Sequence, residues 1–445
     1  MSYNTITTDI LRTLRVPGPA YWSLLAVLVG VTLFGVYAFW IQIQFGLGVA
    51  GYQHPVLWSI YITNFVFWVG IAHSGTLISA VLFLFRARWR TAVARAAETM
   101  TVFAVMTAGL FPILHLGRPW FFYWLIPYPN ERLLWVNFRS PLVWDLFAIM
   151  TYLTVSVMFL FIGLVPDIAT ARDHVKDWRR HLYRILALGW QGTDRQWRHY
   201  NSLYGFLAAL ATPLVVSVHS IVSWDFAMSI LPGWHSTIFA PYFVAGAILS
   251  GVAMVITILI PLRKWLGWEE YIRIWHFENL AKLLILTSLI VGYAYLTEYF
   301  IAWYSNNPFE QGTFLDRMFG QYALFAWTML LCNAVIPLVL FFKKVRTNLV
   351  ALFVISIFIN VGMWLERFVI IVSSQAHDFD PANWPDGVYS PTWIEGAITA
   401  GSFALFFLLF LIFVRNFPAI SIAEMKESTN QSNKADPGPA WPEPV

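Results

Sequence analysis

The sequence predicts an all-α integral membrane protein with ten transmembrane helices. Of the 445 residues, 58% are hydrophobic and 12% are charged, whereas soluble chains carry roughly twice that charged fraction. Runs of about 20 apolar residues, the length that a bilayer core requires, recur along the whole chain. They lie near residues 21–45, 57–85, 98–117, 141–164, 203–227, 238–262, 280–303, 321–342, 348–372 and 393–414.

The first apolar run is expected to remain in the protein as a membrane helix. Residues 1–19 mix polar and apolar types, and the run that follows is too long for the core of a cleavable signal peptide. The chain therefore divides into a short N-terminal segment, residues 1–20, a membrane domain, residues 21–414, and a tail, residues 415–445.

Basic residues alternate between the loops. They concentrate in the N-terminal segment, in the loops after helices 2, 4, 6 and 8, and in the tail, whereas the opposite loops hold only Arg118, Arg132, Arg139 and Arg317. Because cytoplasmic loops carry the excess of Lys and Arg, both termini are predicted to be cytoplasmic. The net charge of +4 then reflects orientation, and no nucleic-acid partner is expected. From Glu427 onward the cytoplasmic tail is polar and Pro-rich, so it is predicted to be disordered or to lie on a partner.

A weak internal repeat is visible at an offset of 176 residues. Helix 2 matches helix 6 at Trp58/Trp234, Phe67/Phe243, Gly70/Gly246, Ser74/Ser250 and Gly75/Gly251. Both helices run in the same direction, which predicts a parallel repeat of two four-helix bundles, helices 2–5 (about 57–227) and helices 6–9 (about 238–372), with helices 1 and 10 peripheral. Gly and Ser four residues apart is also the pattern of close helix packing.

Ionisable residues inside the predicted helices gather near one face of the membrane. With each helical residue rising about 1.5 Å, the outer half holds His115, Asp145, His219, Asp225, Glu298, Glu366 and Arg367. His73 lies in the inner half. Each could be a satisfied core residue or part of a buried ion pair, but intramembrane ionisable groups are costly and mark functional sites by default.

The outer cluster suits the oxidation of a quinol. A quinol headgroup loses two protons with its two electrons, so a proton acceptor is needed near each hydroxyl, and an imidazole and a carboxylate meet that need. His115 and Asp145 are the candidates, with Arg118 or Arg139 near the carboxylate. Aromatic and aliphatic side chains would hold the ring and its isoprenoid tail.

Redox cofactors are not expected in this chain. The single cysteine, Cys332, lies in an apolar run, which excludes a cysteine-ligated iron–sulfur cluster, a CxxCH haem attachment and an internal disulfide. No helix carries the paired histidines of a haem b bundle, and no metal motif is present.

Five strings in chain order resemble a known family. They are HLGRPW at 115–120, SPLVWD at 140–145, HSIVSWDF at 219–226, GWHSTIFAPYFVAGAI at 233–248 and LERFVI at 365–370. Together they resemble the NrfD/polysulfide-reductase membrane-subunit family, and within it most of all the quinol-binding ten-helix subunits of bacterial alternative complex III.

The resemblance implies a multi-pass subunit of the bacterial inner membrane that oxidises quinol, of the menaquinone or ubiquinone type, at its periplasmic side. Electrons would pass to a periplasmic iron–sulfur subunit and then to haem c subunits of a respiratory or photosynthetic chain. It also implies a second NrfD-like membrane subunit as partner. Carried onto this sequence, the quinol site comprises His115, Asp145, Asp225 and His219, with Arg118 in support.

Two hypotheses remain open from the sequence. In the first, this chain binds and oxidises quinol. In the second, it is a structural or proton-conducting subunit whose sister subunit binds quinol, with His73, Glu298, Glu366 and Arg367 on a proton path. A secondary transporter is a distant third, because no helix is broken midway by a Gly/Pro pair.

Overall fold

The regular structure that the computed structural model describes is helical, and its description covers residues 3–15, 17–128 and 138–434. Ten helices within these ranges are long and apolar enough to cross a membrane, which confirms the predicted fold class. They are α1 (Pro19–Phe45), α2 (Ile60–Leu84), α3 (Ala94–His115), α4 (Pro141–His174), α5 (Asp194–Ala227), α6 (Phe239–Leu266), α7 (Ile274–Tyr304), α8 (Ala323–Phe341), α9 (Leu349–Ala376) and α10 (Trp393–Asn416).

Shorter helices occupy the connecting segments. They are Tyr3–Ile10, Leu11–Leu14, Leu47–Val49, Arg88–Arg90, Pro119–Leu125, Arg179–Leu186, Pro308–Phe319, Lys343–Arg346, Pro381–Asp386 and Ile422–Lys434. Two spanning helices are irregular: α2 contains a π-helical turn at Leu77–Val81 near its end, and α8 contains another at Leu331–Val335, near its middle, before it tightens into a 3₁₀ helix. A π-helical turn shifts the side chains that follow it and often occurs at functional positions.

The helices α2 and α6 form the centre of the molecule. Every residue of α2 from Ile60 to Thr76 is buried. A Cβ atom on Gly70 would lie 3.5 Å from the Ser250 hydroxyl oxygen, and one on Gly251 would collide with the Ser74 side chain and the Ile71 carbonyl. Small residues therefore let the two backbones approach closely.

One contact beside this seam joins two positions that the 176-residue offset pairs. Trp58 and Trp234 lie beside each other with ring centroids 5.6 Å apart. Within each predicted unit the neighbours are also alike: α2 packs on α3 and α5, with α4 between them, and α6 packs on α7 and α9, with α8 between them. We retain the two-bundle repeat as a proposal, which these contacts support.

The helices α1 and α10 pack on each other at the edge of this core. Gly35 and Gly401 meet at their contact, where a Cβ atom on either would lie 2.9 Å from the other's Cα. Much of α1 is exposed, including Val27, Leu33 and Trp40. An apolar exposed face on a spanning helix is what contact with lipid requires.

A buried ion cluster closes the end of the molecule opposite His115. Arg95 in α3 donates to Glu98 at 3.3 Å and to Asp167 in α4 at 2.9 Å, with all three side chains buried. The segment after α10 covers this cluster, since the Ala423 amide donates to Asp167 at 3.0 Å and Arg90 pairs with Glu424 at 2.8 Å. The sequence placed Arg95 in a loop, whereas it lies inside α3 and is neutralised there.

The stretch from Glu427 onward, which was expected to be disordered or to lie on a partner, is helical as far as Lys434. After α10 the chain is buried from Ala419 to Ile422 and continues as the helix Ile422–Lys434. Residues 435–445 and Arg132 lie outside the described residues.

Candidate functional site

His115 ends α3 inside a group of aromatic side chains. Its Nδ1 atom lies 3.2 Å from the Tyr52 hydroxyl, and the edge of its ring meets Trp58 with centroids 6.4 Å apart. Tyr52 and Trp58 both come from the connection between α1 and α2. This connection therefore folds over the end of α3 and fixes the orientation of the imidazole.

The carboxyl groups of Asp145 and Asp225 lie beside each other. Asp145 is in the first turns of α4 and Asp225 in the last turn of α5, and the two side chains are within reach of a shared hydrogen bond. The Oδ1 atom of each is buried and has no hydrogen-bond partner among the described residues. The neighbour of the Asp145 carboxyl is thus a second acid, where the sequence suggested Arg118 or Arg139.

Aromatic rings connect His115 with the end of α5 that carries Asp225. Trp58 meets His115 on one side and Phe226, the residue after Asp225, on the other, with Trp58 and Phe226 centroids 5.8 Å apart. Trp234 contacts both Trp58 and Phe226. The structure therefore brings His115, Asp145 and Asp225 to the same end of the helix assembly, around a wall of indole and phenyl rings.

His219 lies deeper, on the same helix as Asp225. The two residues are six positions apart, which corresponds to about 9 Å of helix rise. His219 is fully buried, and neither of its ring nitrogens has a hydrogen-bond partner among the described residues. Its ring contacts that of His73 from α2, with centroids 4.8 Å apart.

His73 is held by two contacts of its own. Its Nδ1 atom bonds the Val69 carbonyl, and its ring stacks on Tyr152 of α4 with centroids 4.8 Å apart. Two imidazoles in direct contact leave no room between them for a haem plane. The sequence did not place His73 with His219, because it located them in opposite halves of the membrane.

A second polar cluster surrounds Glu366 and Arg367 of α9. The two side chains pair with each other, and Glu366 also accepts from the Tyr295 hydroxyl. Asn333, in the π-helical turn of α8, donates to Tyr295 at 2.8 Å. The Arg367 guanidinium lies 4.5 Å above the centre of the Phe243 ring, and Phe243 also contacts His219.

Glu298 lies apart from these clusters. It is buried in α7, with one carboxylate oxygen lacking a partner among the described residues. It lines a cavity of about 270 Å³ together with His235, Ser305 and Glu310. Arg118 is exposed at the start of the helix Pro119–Leu125, so it lies at the rim of the His115 region.

Several site residues were missed by the sequence analysis. Tyr52 gives no periodic signal because it lies in a connecting segment, and Tyr152 and Tyr295 look like ordinary residues of apolar helices. Among the described residues, no group of three or more His, Cys, Asp or Glu side chains is placed to hold a metal ion.

Comparison with known proteins identifies the family. The family model described as "Polysulphide reductase, NrfD" matches residues 48–377. The chain belongs to the NrfD family. Its matched region runs from just before Tyr52 to the end of α9, so it contains the His115 region, the carboxyl pair and both buried clusters.

Three relatives of this NrfD chain align over nearly their whole length. A putative membrane subunit of dimethyl sulfoxide reductase from Halobacterium salinarum is 26% identical over 93% of this chain and 94% of the relative. A selenate reductase subunit from Mesobacillus selenatarsenatis is 21% identical over 92% and 96%, respectively. The Hdr-like menaquinol oxidoreductase integral membrane subunit of Archaeoglobus fulgidus is 21% identical over 92% and 95%.

Proposed function

We propose that this chain is the quinol-binding membrane subunit of a quinol:electron-acceptor oxidoreductase of the alternative complex III type. Quinol is oxidised beside His115 and the Asp145–Asp225 pair, at the end of the molecule predicted to be periplasmic. The observation that carries the proposal is the buried carboxyl pair, whose Oδ1 atoms lack partners among the described residues, beside an imidazole and an aromatic wall.

The arrangement supplies the two proton acceptors that quinol oxidation needs. His115 can take one hydroxyl proton on its imidazole, and the carboxyl pair can take the other. Trp58 lies between His115 and Phe226, in edge contact with both rings, and aromatic surroundings of this kind suit the ring of a quinol. The electrons leave for an iron–sulfur subunit on the same side of the membrane and continue to haem c subunits.

The carboxyl pair is suited to sharing one proton before quinol is oxidised. Two ionised carboxylates at hydrogen-bonding distance repel each other strongly, and a single proton between them removes that repulsion. Asp145 is buried, with 6% of its surface exposed, so water screens the repulsion weakly. A pair of this kind accepts a second proton and passes one on.

The family comparison supports quinol as the substrate. One relative is named as a menaquinol oxidoreductase subunit, and two are named as reductase subunits. The assignment to alternative complex III, with a second NrfD-like subunit in the bacterial inner membrane, rests on the five sequence strings at 115–120, 140–145, 219–226, 233–248 and 365–370.

The test is quinol:acceptor turnover of the purified complex carrying Asp145→Asn. We expect turnover to fall on the order of 100-fold, the typical contribution of a general base, with every subunit still present. Asp173→Asn is the matched control, because Asp173 is an exposed acid at the other end of the same helix. Full turnover in Asp145→Asn would move the quinol site elsewhere, and loss of the complex would indicate a structural role.

Photolabelling with a quinone analogue tests the same proposal by binding alone. Label is expected on α3, α4 and α5, the helices that carry His115, Asp145 and Asp225. Label confined to another subunit would favour the second candidate function.

That second candidate is proton conduction, and one observation favours it. His219, His73 and Tyr152 form a continuous line of rings deep in the membrane domain. Imidazoles and a phenol in contact can pass a proton between them. His219→Phe should then abolish proton translocation into proteoliposomes while quinol turnover under uncoupled conditions is retained; loss of both would argue against a separate conducting role.

A further inference from the structure

We propose that the helix Arg179–Leu186, between α4 and α5, lies in the membrane surface and binds the headgroups of anionic phospholipids. Its basic side holds the lipid phosphates, and its apolar side lies against the acyl chains of the same leaflet. This lipid site is independent of the proposed quinol site, because the helix lies at the opposite end of the molecule from His115.

One side of this helix is fixed to the ends of two spanning helices. Arg179 is buried and donates to the Leu14 carbonyl, shortly before α1, at 2.6 Å and to the Arg415 carbonyl, in the last turn of α10, at 3.3 Å. Tyr183, four residues later and also buried, donates to the Asn416 carbonyl. The helix therefore lies near the depth at which α1 begins and α10 ends, where the hydrocarbon region of a bilayer gives way to headgroups.

A second side of the helix is apolar and uncovered. Leu182 and Ile185 are three residues apart, so they share a face, and Ile185 is 72% exposed. Val27 and Leu33 on the exposed face of α1 reach only 61% and 60%. Trp178, four residues before Leu182 and already in a helical conformation, lies on the same side, and tryptophan is enriched at headgroup depth. An apolar face of this kind at the membrane surface is what the acyl boundary covers.

The third side of the helix is basic. Arg180 and Arg184 are one turn apart, and both are exposed. The two nearest acids in the sequence, Asp173 and Asp177, are each paired with a neighbouring arginine. Neither Arg180 nor Arg184 forms an ion pair within the part of the chain that the structure describes, so their guanidinium groups are left to bind phosphate oxygens.

The two uncovered sides together select a phospholipid as the occupant. A free phosphate would satisfy the arginines but would leave the apolar side in water. An anionic phospholipid satisfies both sides at once, since its phosphate and its acyl chains meet at the depth where this helix lies. The leaflet at this end is predicted to be cytoplasmic, and the anionic lipids of that leaflet attract basic segments.

Amide hydrogen exchange of the complex in nanodiscs tests the proposal. Peptides that cover Arg179–Leu186 are followed in discs of phosphatidylcholine alone and in discs that also contain phosphatidylglycerol. The test variant combines Arg180→Gln with Arg184→Gln. The matched control combines Arg86→Gln with Arg88→Gln, because these arginines are exposed at the same end of the molecule, between α2 and α3, and their removal changes the net charge equally.

We expect the amides of this helix to exchange on the order of 10-fold more slowly when phosphatidylglycerol is present, because a bound ligand suppresses local opening. High salt should reduce the difference, since it screens the headgroup charge. The test variant should lose most of the difference, because each arginine removed lowers the lipid affinity about five-fold. The control variant should behave as the wild type, and Ile185→Gln should speed exchange in both kinds of disc.

Three outcomes would overturn the proposal. Equal exchange in the two kinds of disc would show that the helix does not bind anionic headgroups. An equal loss of protection in the control variant would make the overall charge of this end responsible, without a site on the helix. Slow exchange that depends neither on the lipid nor on Ile185 would show that another subunit covers the helix.

Discussion

The paired carboxyls of Asp145 and Asp225 should behave as one functional unit. If one proton is shared between them, removing either acid removes the sharing. We expect Asp225→Asn to lower quinol turnover about as much as Asp145→Asn. The double variant should turn over quinol no more slowly than the less active single variant, because the effects of coupled residues are not additive. Steady-state turnover of the three variants measures this. Additive losses would show that the two acids act in separate steps.

Glu366 and Arg367 make a prediction about stability. Both side chains are buried and paired with each other. Removing one charge of a buried pair leaves the other uncompensated and costs about 3–5 kcal/mol, whereas replacing both is often nearly neutral. Arg367→Met should therefore lower the melting temperature of the purified complex, and the double variant with Glu366→Leu should recover most of the loss.

Equal melting temperatures of Arg367→Met and the wild type would favour a different account of this cluster. Glu366 also accepts a hydrogen bond from Tyr295. If Arg367→Met melts like the wild type, that bond satisfies the carboxyl group without the arginine, and Glu366 is neutral in the folded protein.

The residues of the candidate site could be chosen from the sequence, but their contacts could not. His115, Asp145 and Asp225 stand out as ionisable groups in apolar runs. Their partners depend on how each helix is rotated about its axis, which composition does not specify. Tyr52 gave no signal at all, because it lies in a connecting segment.

Whole helices were predicted from the sequence more accurately than side-chain contacts. All ten spanning helices were predicted, because 20 apolar residues in succession have few alternatives to a membrane span. Their ends were less accurate: α4 continues to His174, beyond the predicted 164, and α5 begins at Asp194, before the predicted 203. These extra turns contain many polar residues, so a search for apolar runs does not include them.

The seam between α2 and α6 leads to a prediction about packing. Gly251→Val would drive a side chain into Ser74 and the Ile71 carbonyl, and a backbone atom cannot move aside. Overpacking of this kind costs about 1–3 kcal/mol. We expect less folded protein on size-exclusion chromatography and a lower melting temperature.

Gly109→Val provides the matched control for that prediction. Gly109 also lies inside a spanning helix, α3, but nothing comes within 4 Å of a Cβ atom placed there. Both variants carry the same cost of a β-branched residue in a helix. A difference between their melting temperatures therefore measures the effect of the close contact between α2 and α6. Equal behaviour of the two variants would mean that α2 and α6 can separate without loss.

For the molecule as a whole, the proposed function depends on which face of the membrane holds His115. The carboxyl pair and His115 lie at one end, and the buried cluster of Arg95, Glu98 and Asp167 lies at the other, covered by the segment after α10. From the distribution of Lys and Arg we expect the first end to face the periplasm. A periplasmic iron–sulfur partner can reach the quinol only if that orientation is right.

Cysteine labelling in intact cells tests this orientation. The single native cysteine, Cys332, is buried and should react little with a membrane-impermeant maleimide, and a Cys332→Ala background removes it altogether. Trp124→Cys, at an exposed position on the His115 side, should be labelled in spheroplasts without permeabilisation. Trp178→Cys, also exposed but between α4 and α5 on the opposite side, should be labelled only after permeabilisation. The opposite pattern would place His115 at the cytoplasmic face, and protons released by the quinol would then enter the cytoplasm.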